Sequence, residues 1–218
     1  MERVLSITNL SKKYHTKHDE IEAIMDFSLD VKKGEFIAIV GPSGCGKSTI
    51  LSILCNLEEK SGGSISYNSN KEPIIGYMLQ QDTLFPWRTI LGNCLLGLEV
   101  NNSLTSRKKD KVIELLKKYG LNKFINHYPR SLSGGMRQRV ALIRTLAINP
   151  DILLLDEPFS ALDYQTRLAV SDDVYRIIKE NKKTVIMVTH DLAEAIYQIS
   201  MTINKTYKQD FFRMHTSY

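Results

Sequence analysis

The chain has 218 residues, of which 43% are hydrophobic and 24% charged, with a formal net charge of +5. That length accommodates one core and a small additional lobe, and the composition is that of a globular protein rather than a disordered or fibrous one. No apolar run approaches the ~20 residues that span a bilayer, and three cysteines without metal-like spacing point to a reducing cytosol rather than a disulfide framework.

The start, MERVLSITNL, has an early acid and no long apolar stretch, so no secretory leader is expected. The positive charge reads as a lysine-rich solvated surface. No basic stripe is interleaved with aromatics, so no nucleic-acid partner is expected. Phe27, Leu29 and Val31 alternate with polar residues, the period of a half-buried strand; the first part of the chain reads as antiparallel strands. The run FIAIV, Phe36 to Val40, is apolar throughout, as in a strand buried on both faces. It leads into GPSGCGKST, Gly41 to Thr49, and then the helix KSTILSILCNL.

Another strand, PIIGYML, precedes Gln80, and the region from about Leu91 to Pro129 reads as helical. Thr105 or Ser106 caps a helix there with the apolar face Val112, Leu115, Leu116 and Tyr119, and Gly120 sits where a helix end needs a left-handed residue. From Leu132 the pattern is helix, strand DILLLDE, helix, strand TVIMVTHD. Strands alternating with helices predict an α/β fold with a mostly parallel core sheet.

Gly41, Gly46, Lys47 and Ser48 fit the phosphate-loop pattern G-x-x-x-x-G-K-[ST], with a strand before and a helix after. Glycines let the backbone curl so that successive N–H groups face phosphate oxygens, and the helix adds its positive dipole end. Lys47 neutralises β- and γ-phosphates and the Ser48 hydroxyl is placed to ligate Mg²⁺. ILLLDEP supplies the second half of a nucleotide site: Asp156 ends a strand and holds Mg²⁺, directly or through water, and Glu157 orients or deprotonates a water.

The stretch RSLSGGMRQRVAL contains a second anion cradle. Ser133 caps a helix beginning at Gly134, whose N–H groups face outward, and Met136, Val140, Ile143 and Ala147 form its apolar side before Asn149-Pro150 ends it. One chain with a complete phosphate loop has no need of this second surface. Two copies arranged head to tail would place it over the neighbour's γ-phosphate.

In this order and spacing the sequence resembles the ATP-binding subunit of ABC transporters over about residues 2–197. GPSGCGKST, including Pro42, Ser43, Gly44, Cys45 and Thr49, resembles its Walker A loop and ILLLDE its Walker B strand. LSGGM resembles its signature, with Met136 where glutamine is common, and SALD, Ser160 to Asp163, resembles the D-loop. Gln80 falls at the Q-loop position, His190 at the switch histidine and Tyr14 where an aromatic stacks on adenine. LFPWRT after the Q-loop, taken with LSGGMRQR, is similar to the group of nitrate, sulfonate, taurine and bicarbonate importers.

The resemblance implies one ABC cassette over residues 1–218 with a helical subdomain inserted at about 90–135. It implies ATP and Mg²⁺ as ligands, with ATP held between Lys47, Ser48 and Thr49 of one copy and Ser133, Gly134 and Gly135 of a paired cassette. Gln80 would sense Mg²⁺ and the water, Glu157 would act as base and His190 would contact the γ-phosphate. The implied partners are a second cassette, integral-membrane permease subunits and, indirectly, an extracytoplasmic solute-binding protein, at the cytoplasmic face of the membrane. Rival readings are a nucleic-acid-associated ABC ATPase, a phosphate-loop kinase and a degenerate cassette that binds ATP without coupling. The third draws on the C-terminus, YQISMTINKTYKQDFFRMHTSY, which departs from the family pattern. There, alternation of Ile199, Met201 and Ile203 suggests a short strand, and the segment beyond Asn204 reads as a poorly packed, truncated or frame-shifted tail with an uncovered sheet edge beside it.

Overall fold

A computed structural model describes residues 2–15, 19–68, 72–160, 162, 164–181, 183–191, 195 and 214–216. Two long amphipathic strands, β1 (Arg3–His15) and β2 (Glu20–Lys32), pair antiparallel. With β4 (Gly62–Tyr67) on the other side of β1 they form a three-stranded antiparallel sheet in the order β2-β1-β4.

The second sheet arises from continuous apolar runs. All five residues of β3 (Phe36–Val40), all five of β6 (Ile152–Asp156) and all six of β7 (Thr184–Thr189) are buried. With β5 (Ile75–Met78) and β8 (Met214–Thr216) they make a parallel sheet in the order β5-β6-β7-β3-β8. Successive residues point to opposite faces. Ala38, Leu153, Leu155 and Val185 therefore pack in one apolar cluster, and Ile37, Ile39, Leu154 and Ile186 in another. A strand covered on both sides does not alternate with polar residues, which is why the polar residues of these runs, Asp156, Thr184 and Thr189, stand only at their ends. Each such side chain removed from water contributes roughly 1.5–3 kcal/mol.

Helices join the parallel strands. The first cluster holds residues of α2 (Ile90–Val100), α3 (Ser106–Lys118), α4 (Gly134–Ala147) and α5 (Tyr164–Glu180). Helix α1 (Lys47–Leu54) buries Ile50, Leu51, Ile53 and Leu54 in the second cluster, against β1 and β2. The helix-end signals in the sequence act as expected. Thr105 accepts a hydrogen bond from the Lys108 N–H at 3.3 Å, Gly120 has φ 77°, and Val112, Leu116 and Tyr119 are buried. Asn149, at φ 54°, ends α4 before Pro150.

One expectation is corrected. The sequence predicts no packed element after Asn204, yet Met214–Thr216 forms β8, paired in parallel with Ala38–Val40 of β3. Three residues are too few for side-chain alternation to show, and the pairing partner lies far away in sequence. The strand expected around Ile199–Ile203 lies outside the described residues.

Candidate functional site

Parallel strands bring all their carboxyl ends to one edge of a sheet, and the segments leaving those ends gather there. β3 runs into the loop Gly41–Gly46, β5 leads to Gln80, β6 ends in Asp156 before Glu157, and β7 runs into His190. In the sheet order β5, β6, β7 and β3 are consecutive, so four distant sequence segments meet without any long loop.

The loop after β3 curls because two glycines take left-handed backbone angles, φ 84° at Gly44 and φ 90° at Gly46. A Cβ on Gly46 would lie 2.2 Å from the Ala23 carbonyl oxygen. Glycine is therefore required there by conformation and by space. Gly46 caps α1 without a side-chain hydrogen bond, in contrast to Thr89, Thr105 and Ser133, which cap α2, α3 and α4 through their hydroxyls. The first N–H groups of α1 and its dipole thus face the cavity as an anion site.

That cavity, about 480 Å³, is lined by Tyr14, Ser43, Gly44, Gly46, Lys47, Ser48, Thr49, Gln80 and Glu157, together with Ile21 and Ala23. Lys47 is only 5% exposed, and its ammonium donates to the carbonyls of Gly41 and Pro42 at 2.8 Å each. Both of these partners are carbonyl oxygens rather than carboxylates. Cys45, within the same loop, approaches the Lys47 Nζ at 3.9 Å. Tyr14 lines the cavity, with the Lys12 ammonium 4.7 Å from its ring centroid.

Two hydrogen-bonded groups of acidic and polar side chains lie beside the cavity. The Ser48 hydroxyl donates to Asp156 Oδ1 at 2.9 Å, which places a hydroxyl and a carboxylate oxygen side by side. Such a pair suits a hard cation that takes oxygen ligands. Glu157 Oε2 accepts from Gln80 Nε2 at 3.2 Å and lies 2.9 Å from His190 Nδ1. Gln80 Nε2 also donates to Ser160 Oγ at 3.2 Å. Glu157 itself has φ 41°, a left-handed conformation unusual for a residue with a long side chain. It is held there by its N–H donating to the Val188 carbonyl at 3.0 Å and by Ser160 N–H donating to its own carbonyl at 3.2 Å. The strained backbone aims the carboxylate at the cavity.

Ser133 caps α4 and accepts from the Met136 N–H at 3.3 Å, as its sequence position predicts. Ser133, Gly134 and Gly135 do not line the phosphate cavity. Ala161 and Asp163 of SALD lie outside the described residues.

Several structural supports are not apparent from the sequence. Arg137 and Arg144, both on α4, hold the segment after Gln80: Arg137 Nε donates to Asp82 Oδ2 at 2.8 Å, and Arg144 donates to the carbonyls of Asp82 and Thr83 at 2.9 Å each. Burial lowers the Arg144 pKa from its ordinary value. The fully buried Asn93 bonds both backbone groups of Phe85 and the carbonyls of Arg88 and Thr89, fixing the LFPWRT turn. On that turn Trp87 is 71% exposed and stacks on Phe85 with ring centroids 5.1 Å apart. Among the described residues no helix is long and apolar enough to cross a membrane.

Comparison with known proteins agrees with this geometry. Residues 24–160 match the family model described as ABC transporter. The chain is 49% identical to the uncharacterized ABC transporter ATP-binding protein YtlC of Bacillus subtilis, over 88% of this chain and 75% of that protein. It is 43% identical to the aliphatic sulfonates import ATP-binding protein SsuB of Bacillus licheniformis, over 88% of this chain and 76% of that protein. Among solved structures, the dimeric post-hydrolysis state of the ATP-binding cassette MJ0796 bound to ADP and Pi is similar at TM-score 0.73 and 35% identity. That match covers 88% of this chain and 90% of the other. The chain belongs to the ABC transporter family, whose ATP-binding cassettes are ATPases that use ATP and Mg²⁺.

Proposed function

We propose that the cassette powers import of a small oxyanion-type solute, of the nitrate, sulfonate or taurine kind, through ATP-driven closure of two cassettes beneath a membrane permease. The observation that carries the ATP-driven part of this reading is the junction of Gln80, Glu157 and His190 on one carboxylate oxygen. In this reading ATP lies on the loop Gly41–Thr49, with Tyr14 against the adenine. Lys47 and the α1 N-terminus neutralise its phosphates. Ser48, Gln80 and Asp156 hold Mg²⁺, which offsets charge on the phosphate oxygens when bound. Glu157 orients and takes a proton from the attacking water, and His190 steadies the carboxylate and reaches the γ-phosphate. Phosphoryl transfer depends on positioning and charge stabilisation rather than covalent help, and these fixed dipoles supply both.

Ser133, Gly134 and Gly135 complete the site in trans, in a paired cassette whose α4 N-terminus covers the γ-phosphate. The helical segment of about residues 90–135 acts as the subdomain that carries this surface. The Phe85–Trp87 turn, held rigid by Asn93 yet exposing an indole, is the surface offered to a permease at the cytoplasmic face of the membrane. Import of a sulfonate-like solute rests on the similarity to SsuB and would involve an extracytoplasmic solute-binding protein.

A tethered dimer tests the trans arrangement. Lys47→Ala damages the loop half of a site and Gly135→Asp the signature half. Both changes in one chain, beside a wild-type chain, spoil both composite sites. One change in each chain spoils a single site twice and leaves the other intact. The second arrangement should retain ATP binding at one site, and equal binding in both would refute the sandwich. Co-purification with a permease, and the solute that permease moves, tests the transport assignment.

A further inference from the structure

Tyr77 belongs to no motif in the sequence, yet it holds the carboxylate assigned to the cation. Tyr77 sits on β5, three residues before Gln80, and its hydroxyl donates to Asp156 Oδ2 at 2.9 Å. The other oxygen, Oδ1, receives the Ser48 hydroxyl. Asp156, 6% exposed, is thus held by Ser48 from helix α1 on one oxygen and by Tyr77 from the neighbouring strand on the other.

We infer that Tyr77 is a positioning residue for the divalent-cation site: it ties down one oxygen of Asp156 so that the other stays beside the Ser48 hydroxyl. The inference rests on the proposed role of Asp156 in holding Mg²⁺. A carboxylate at the end of a strand rotates about its terminal bond within a broad well. Bonded on one oxygen only, it would sample orientations in which neither oxygen lies next to the Ser48 hydroxyl. Tyr77 removes that freedom without touching the nucleotide. Partners that orient a metal ligand in this way typically change affinity by about 10–100-fold when removed.

The test uses the full chain with a non-hydrolysable ATP analogue at saturation and Mn²⁺ as the probe, its binding counted by electron paramagnetic resonance. Tyr77→Phe deletes only the hydroxyl and keeps the ring. It should weaken Mn²⁺ binding by about 10–100-fold, while metal-free binding of the analogue and the thermal midpoint stay near wild type. Tyr77→Leu, which also lacks the hydroxyl, should weaken Mn²⁺ binding in the same way, and serves as the readout if Tyr77→Phe fails to fold. Asp156→Asn is the reference: if it leaves Mn²⁺ binding intact, the assignment of Asp156 is wrong and the inference falls with it. If Asp156→Asn abolishes binding while Tyr77→Phe and Tyr77→Leu remain within twofold of wild type, the positioning role alone is refuted. Equal losses of metal-bound and metal-free nucleotide affinity would also overturn it, since a purely structural defect would do that.

Discussion

Replacing Gly46 with alanine tests how tightly the phosphate loop is seated. The added Cβ would lie 2.2 Å from the Ala23 carbonyl oxygen, 0.8 Å inside the 3.0 Å that real Cβ contacts respect. That oxygen is backbone in β2, so the loop itself must move. The residue also stands at φ 90°, which adds about 1–2 kcal/mol of strain for any L side chain. A displacement near 1 Å in a positioning element costs about 10²-fold in rate, or roughly 2.7 kcal/mol of transition-state stabilisation. Gly44→Ala is the control, because its φ is 84° but its Cβ would meet nothing within 4 Å. It carries the strain without the collision. We expect Gly46→Ala to lose at least about 10²-fold in ATPase kcat/KM. Its affinity for a fluorescent ATP analogue should fall as well, and Gly44→Ala should lose much less. Near-equal effects of the two substitutions, measured beside urea unfolding of each, would refute the argument from close approach.

Glu157→Gln should retain nucleotide binding but hydrolyse ATP about 10²–10⁴-fold more slowly, and size-exclusion chromatography with ATP should show the dimer accumulating; near-normal turnover removes Glu157 from the base role. Cys94 is fully buried and its thiol is pushed up to about 12, against about 8.5 in an unfolded chain. Its contribution is therefore complete below about pH 8.5 and is lost as pH rises toward 12, at up to about 1.4 kcal/mol per unit. Urea unfolding of the wild type should weaken between pH 9 and 11 more steeply than that of Cys94→Ala, and parallel slopes would contradict the burial argument. Hydrogen exchange should show slow amides in Ile152–Asp156 and Val185–Thr189, with Met214–Thr216 opening faster as a short edge strand. Deleting residues 205–218 would bare the β3 edge, so more light scattering on mild heating is the expected result.

The features legible in the sequence are those whose physics is local or whose order is informative. The phosphate loop announces itself because its glycines, lysine and serine are contiguous and need only a strand before and a helix after. Thr105, Ser133 and Gly120 are legible as helix ends for the same reason. Gln80, Glu157 and His190 are identified by their place in a familiar order, and their meeting on one oxygen is a product of the strand order β5-β6-β7. Tyr77 is not legible: its role requires knowing that β5 pairs with β6 and in which register. β8 is illegible because three residues carry no period and their partner, β3, lies some 175 positions away. Arg144 is one more cation in the sequence, and only the packing of α4 against the Gln80 segment gives it a role.

The left-handed backbone of Glu157 has a consequence for how this chain tolerates change. At φ 41° a glutamate is held against its own conformational preference, at a cost of about 1–2 kcal/mol. Asparagine occupies that region far more comfortably. In a copy freed from any need to turn over ATP, a change of Glu157 to asparagine would relieve that backbone strain but give up the carboxylate's contacts with Gln80 and His190. The glutamate is thus kept at a conformational cost of the kind that functional sites store.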